Sequence, residues 1–269
     1  MSTKSGQARV PKPKEWDLLY FEISKHRHPE KNMAIMQVSQ KLGLRVQEIA
    51  LLKLKEVCKL IGEQGGANRT FKLYEVMTLP ASYTKGANAM GRSTTSYTRR
   101  KVSFKVEEFN KILLQVEKLA KAGVEINPVD YYPLVSEHKG VARDLPLINS
   151  ELTDALIAYI QLRLDKNPHI KPSDPLFITQ KGGPYSPNTL QEHMALMLRD
   201  WAGIEKATSH SGRRAVITDI IHNQKKSLKV AQKIAGHKNP STTVIYEQPP
   251  EEEISNALAN IGVKKDNIQ

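Results

Sequence analysis

GHKNPSTTVIY, residues 236–246, sets a histidine and a tyrosine nine positions apart in a stretch too polar to be simple core. On one continuous helix His237 and Tyr246 would stand roughly 13.5 Å apart along the axis, too far to act on one reacting atom. Asn239 and Pro240 argue against a continuous helix. Asn239 reads as an N-cap whose side-chain oxygen takes up a first-turn N–H, and Pro240 as the first helical residue, where its missing N–H costs nothing. Two helices meeting at an angle can bring both side chains to one pocket.

Working outward, HSGRR (210–214) puts His210 and Arg213 three apart at a helix start, so they face one side. A helix start also offers unpaired N–H groups and the positive end of the dipole, which suits an anion such as phosphate. GLRVQE (43–48) puts Arg45 and Glu48 three apart at another helix start, where the carboxylate can hold the guanidinium fork in a fixed orientation. Taken singly, each has an ordinary alternative: a surface ion pair, a capping or core histidine, a packing tyrosine.

The net charge of +12 and a pI near 9.6 are the footprint of a polyanion binder. Cys58 is the sole cysteine, which excludes an intramolecular disulfide and a cysteine-rich metal site and suits a reducing cytoplasm. No stretch approaches the ~18 apolar residues of a membrane span. GANAMGRS (86–93) has the glycine spacing of a phosphate-binding loop, but Arg92 stands where the lysine belongs. His26 and His28 lack ligand partners at metal spacing, and no acidic cluster suits two-metal chemistry. Neither a metal nor another cofactor is expected.

Along the chain, residues 1–13 read as a disordered basic arm carrying Lys4, Arg9 and Lys12. Helical patterning follows, with Trp16, Leu19, Tyr20 and Ile23 on one face and Pro29 at a second helix start. Residues 62–130 differ in texture, with strand-like runs and an amphipathic helix from about Val106 to Lys121. The final third is helical and punctuated by turns, with Asn188 a further expected N-cap. The acidic PEEE (250–253) suits the start of a last helix whose stripe is Ile254, Leu258 and Ile261.

The ordered set of Arg45, His210-x-x-Arg213, Gly236-His237 and Tyr246 resembles the tyrosine recombinases, the phage integrase family. The resemblance implies an α+β, mainly helical catalytic domain over 14–262, with a small antiparallel sheet, an inserted strand-helix region over 62–130, and a tail at 263–269. It implies site-specific cutting and rejoining of double-stranded DNA through a 3′-phosphotyrosyl intermediate. Tyr246 would be the nucleophile, Arg45 and Arg213 the phosphate clamp, His210 the proton acceptor and His237 a hydrogen-bond donor to the phosphate, with Glu48 in support. HKGVARDLPL (138–147) is similar to the family's hairpin lysine and following strand, making Lys139 the general acid; Lys85 in YTKG is its rival. Only 44 residues precede Arg45, which suggests a short form without a separate core-binding domain. A tetramer on DNA, joined through the C-terminal helix, is the expected assembly in the cytoplasm. A non-catalytic DNA-binding accessory protein and a type IB topoisomerase-like relaxing enzyme are the alternatives.

Overall fold

The computed structural model describes residues 8–66, 68–83, 97–101, 106–125, 136–140, 142–237, 239–246, 254–255, 258–259 and 261. The chain forms two compact units, one built from residues 1–78 and 143–269, the other from 79–142. The insertion expected over 62–130 is therefore displaced: residues 62–78 fold with the first unit, because strands there pair with or lie beside its own elements.

In the first unit, α1 (Pro13–Lys25) opens with proline at its first position and with the Glu15 carboxylate accepting the Lys12 N–H at 2.7 Å. Its Trp16, Leu19 and Ile23 recur at helical spacing and are buried, while Tyr20 donates to Gln40. The basic arm is shorter than expected. Arg9 bonds Glu15 at 2.7 Å and Pro11 is buried, so residues 8–12 are held against the body; residues 1–7 lie outside the described set.

Helix α2 (Pro29–Leu42) supplies the centre of the core through Ile35, Met36 and Val38 and ends at Gly43, whose φ of +61° favours glycine. The short α3 (Val46–Leu51) and α4 (Leu54–Val57) follow, then β1 (Cys58–Ile61) paired antiparallel with β2 (Thr70–Leu73) from Cys58↔Leu73 to Ile61↔Thr70. Strand β3 (Val76–Leu79) lies beside β6 (Arg143–Pro146), where Thr78 donates to Asp144 at 2.7 Å and the Leu147 N–H to the Glu75 carbonyl at 2.8 Å.

After β6, α6 (Ser150–Lys166) starts at Asn149, whose side chain accepts the Leu152 N–H, and packs along α2. Helix α7 (Pro187–Ala195) is capped by Ser186, which accepts the Thr189 N–H, rather than by the expected Asn188. Proline at 187 sets the first helical position, so the cap falls one residue before it. Helix α7 runs into a π-helical turn, Leu196–Trp201. Helices α8 (Ser211–Thr218), α9 (Leu228–Ala235) and α10 (Ser241–Val244) complete the described core of this unit.

The close approach of α8 to α2 rests on Gly212: a Cβ there would come within 2.9 Å of the Ser39 backbone carbonyl carbon. Two helix backbones meet at that point, which fixes where the residues beside Gly212 project.

In the second unit, β4 (Tyr97–Lys101) pairs antiparallel with β5 (Ser136–Gly140), Thr98 opposite Lys139, and α5 runs Val106–Lys121 as expected. For β4 and β5 the description is of the backbone.

Candidate active site

Glu48 is the hub of the first unit's polar centre. It is completely buried, at the third position of α3, and its carboxylate accepts four hydrogen bonds. Oε2 takes the backbone N–H of Arg45 at 2.8 Å and Nη2 of Arg143 at 2.8 Å; Oε1 takes Nη1 of Arg45 and Nη1 of Arg143, both at 3.1 Å. Burial pushes this carboxyl up, but the Arg143 and Arg45 guanidinia outweigh it and hold it below the usual range. The brace expected between Arg45 and Glu48 is thus present, and it is shared with a second arginine.

Arg213 is buried on the first turn of α8. Its Nη1 donates to the Gly43 carbonyl at 2.7 Å, and its Nη2 donates to the Ala235 carbonyl at 2.5 Å and to Nε2 of His237 at 2.9 Å. An arginine only donates, so Nε2 of His237 is the acceptor and carries no proton. The ring proton is then on Nδ1, which donates to Thr243 Oγ1 at 2.9 Å. Burial, with Arg213, Arg45 and Arg143 adding to it, pushes the His237 imidazole down to about 4, so it is neutral at physiological pH. Burial also lowers Arg213, to about 10, which leaves it protonated. Both ring nitrogens of His237 are engaged, so donation to a phosphate requires exchange of one of these bonds.

The bend between α9 and α10 brings His237 and Tyr246 together. Gly236 ends α9 at φ +62°, and the His237 N–H returns to the Gln232 carbonyl at 3.1 Å. Asn239 Oδ1 accepts the Ser241 N–H at 2.9 Å, as a capping asparagine would, but α10 begins at Ser241 and Pro240 is its N-cap, one residue later than expected. The two rings stack with centroids 5.9 Å apart, and the Arg214 guanidinium lies 6.0 Å from the Tyr246 ring centre. Tyr246 packs on Ile217, Ile220, Ala231 and Ala235, and its carbonyl is bonded by Nε2 of His222 at 3.1 Å. His222 is delivered by a π-helical turn, Asp219–Asn223, that continues α8.

His210 caps α8 one turn from Arg213, with an exposed side chain. Lys139 lies on β5 in the second unit and its side chain is outside the described residues, as is all of Lys85. Among the described residues no three His, Cys, Asp or Glu side chains gather as a metal site, and no helix is long and apolar enough to cross a membrane.

Residues 132–253 match the phage integrase family model. That segment of the chain is similar to the phage integrase family. Two tyrosine recombinases named XerC are similar to it: that of Methylobacterium sp. (strain 4-46) is 38% identical over 78 residues, and that of Methylobacterium nodulans is 40% identical over 81. Each alignment covers 29% of this chain and 24% of the relative, so the chain spans about a quarter of the length of these relatives. The fold is that of tyrosine recombinases. XerA recombinase superposes with a TM-score of 0.55 at 17% identity, over 97% of this chain and 68% of that one. The Tn1549 transposon integrase, in complex with transposon right end DNA, superposes at 0.56 and 14% identity, over 98% and 69%.

The segment that matches the family model contains His210, Arg213, His237 and Tyr246, whereas Arg45 and Glu48 precede it and join it through the Glu48–Arg143 fork. Three residues of this polar centre were not singled out from sequence as contributors: Arg143, Thr243 and His222. One signal pointed to Arg143. It opens a strand in which Leu145, two residues on, is buried, so period two carries its charged side chain toward the same side.

Proposed function

We propose that this chain is a site-specific DNA recombinase that cuts and rejoins double-stranded DNA through a 3′-phosphotyrosyl intermediate. The observation that carries the reading is the stacking of Tyr246 on a neutral His237 that is bonded to Arg213, in a centre where Arg45 and Arg143 share Glu48.

A phenol titrates near about 10, so its oxygen attacks phosphorus only where a base takes the proton and cations reduce the phosphate's charge. His210 is the proton acceptor. Arg45 and Arg213 clamp the non-bridging oxygens and stabilise the charge of the pentavalent transition state, a task suited to planar guanidinium forks. The new P–O bond to Tyr246 replaces the P–O5′ bond, and the leaving 5′-oxygen takes its proton from Lys139, with Lys85 as the rival donor. One phosphodiester is exchanged for another, so no cofactor is required. Reversal by an incoming 5′-hydroxyl rejoins the strand, as integration, excision, inversion or resolution.

DNA-bound neighbours, among them the Tn1549 integrase with transposon right end DNA and XerH with its palindromic difH substrate, support a DNA partner. The charge of +12 supports it too. Exposed Ile254, Leu258 and Ile261 support docking of the C-terminal segment on a neighbouring subunit, in a tetramer working on cytoplasmic, nucleoid DNA. A nicked duplex taken from the DNA flanking the gene tests the chemistry, because the nick lets the 5′-fragment escape and traps the adduct. A covalent protein–DNA adduct that disappears in Tyr246→Phe is expected. An adduct that survives this change removes Tyr246 as the nucleophile, and its absence in the unaltered chain favours a non-catalytic DNA-binding role.

A further inference from the structure

Arg143 has no part in the chemistry set out above, yet it is the strongest partner of the buried carboxylate. It supplies two of the four donors on Glu48 in a bidentate fork, at 3.1 and 2.8 Å, whereas the Arg45 side chain supplies one at 3.1 Å. All four lone-pair directions of the carboxylate are thereby used. The orientation in which Glu48 meets the Arg45 side chain is held by the Arg143 fork together with the Arg45 backbone N–H.

Room for this fork is built into the backbone. A Cβ at position 236 would lie 3.1 Å from Cζ of Arg143 and closer still to its Nη1, so a glycine stands there for clearance as well as for its positive φ. Gly236 directly precedes His237, so the Arg143 guanidinium passes beneath the turn that presents the imidazole.

Charge gives the fork a purpose beyond folding. Arg45, Arg143 and Arg213 surround the single carboxylate of Glu48, and the neutral His237 adds nothing. Among the described residues the centre keeps two positive charges uncompensated, an arrangement that invites an anion. Nε of Arg143 is buried without a hydrogen-bond partner, so the guanidinium is not fully committed to the fold.

Resting on the recombinase reading above, we propose that Arg143 is a positioning residue for the strand-cleavage step: its fork on Glu48 fixes the carboxylate that aims Arg45 at the scissile phosphate. It acts through Arg45, so its loss and the loss of Arg45 are not independent.

The test measures single-turnover formation of the Tyr246–DNA adduct on the nicked flanking duplex, with non-covalent DNA affinity and melting temperature read alongside. Arg143→Gln, Arg143→Lys and Arg45→Ala are compared with the double variant Arg45→Ala/Arg143→Gln. Arg143→Gln is expected to slow adduct formation by about 10- to 100-fold, the usual cost of losing a supporting partner. Arg143→Lys restores little, because an ammonium cannot make the fork. In the Arg45→Ala background, Arg143→Gln adds no more than about twofold. Should Arg143→Gln fail to fold, Arg143→Lys keeps the charge and carries the test in both backgrounds. Losses that multiply in the double variant, or full rate in Arg143→Lys, would overturn the positioning role and leave the recombinase reading intact. An unaltered chain that forms no adduct would overturn that reading and this role together.

Discussion

Gly212→Ala places a methyl group where α8 meets α2. The added Cβ would stand 2.9 Å from the Ser39 carbonyl carbon and 3.0 Å from its oxygen, against an ordinary contact that begins near 3.4 Å, so the two backbones must part by about 0.5 Å. Ser39 is buried within α2; its Oγ is the nearest atom and a rotation could move it, but the carbonyl carbon and oxygen are backbone, so no side-chain rotation relieves the whole clash. Overpacking of this kind costs about 1–3 kcal/mol. Alanine's better helix propensity returns less than about 1 kcal/mol, leaving a net loss of about 1–2 kcal/mol. At about 2–4 °C per kcal/mol for a unit of this size, the melting temperature falls by about 2–8 °C, readable by circular dichroism. The kinetic loss is the sharper signature. Arg213 follows directly, and its bonds to the Gly43 and Ala235 carbonyls, at 2.7 and 2.5 Å, cannot both survive a half-ångström displacement. A misplacement of about 1 Å costs about 100-fold, so adduct formation well below the melting temperature slows by about 10-fold or more. Unchanged melting together with an unchanged rate would refute the close-approach argument.

Glu48→Gln removes the anion on which Arg45 and Arg143 converge. Its carboxyl titrates below the ordinary glutamate range when folded, so it contributes stability above pH about 4.3 that is lost as pH falls through the folded value. Urea titrations should show the variant weaker by about 3–5 kcal/mol near pH 7, with the gap closing in acid; a pH-independent gap contradicts this. His237 is also shifted down: its neutral form is favoured by folding, so stability is full above about 6.5 and lost down to about 4. His237→Gln should flatten the stability profile in that window, and an unchanged slope assigns it elsewhere. Thr243→Val leaves the His237 Nδ1–H without its acceptor, at a cost of about 1–3 kcal/mol in denaturant unfolding; no loss would mean that this bond does not hold the imidazole. His222→Ala releases the Tyr246 carbonyl and should slow adduct formation more than it lowers DNA affinity.

Features with local causes were readable from sequence. Proline at 29, the Arg45–Glu48 spacing and the amphipathic run at 106–121 each state their structure within one or two turns, and each is where it was expected. Cap assignments were less secure because neighbouring candidates compete: Ser186 displaced Asn188, and α10 starts one residue late. Tertiary facts were not readable. The compact unit at 79–142 is defined by contacts and not by composition, and Arg143 meets Glu48 across 95 residues. Thr243 and His222 act through a bend and a π-helical turn, and neither leaves a periodic trace in sequence.

The division of partners among the arginines explains how so cationic a centre can be both stable and available. Arg45 and Arg143 spend donors on Glu48, which neutralises one charge between them. Arg213 forms no hydrogen bond to a carboxylate among the described residues; its donors go to the carbonyl capping α2 at Gly43 and to the last carbonyl of α9 at Ala235. Helix C-termini carry roughly half a negative charge, enough to hold a buried guanidinium without cancelling it. A carboxylate in their place would compete with an entering phosphate for the same fork. Carbonyls cannot be protonated or displaced, so Arg213 keeps its orientation and presents nearly its full charge to the anion. The imidazole it bonds is kept neutral by burial, with that same charge adding to the effect. The orientation of Arg213 and the protonation state of His237 are therefore linked, and a variant that moves Arg213, as Gly212→Ala does, should weaken the part of the His237 shift that Arg213 supplies.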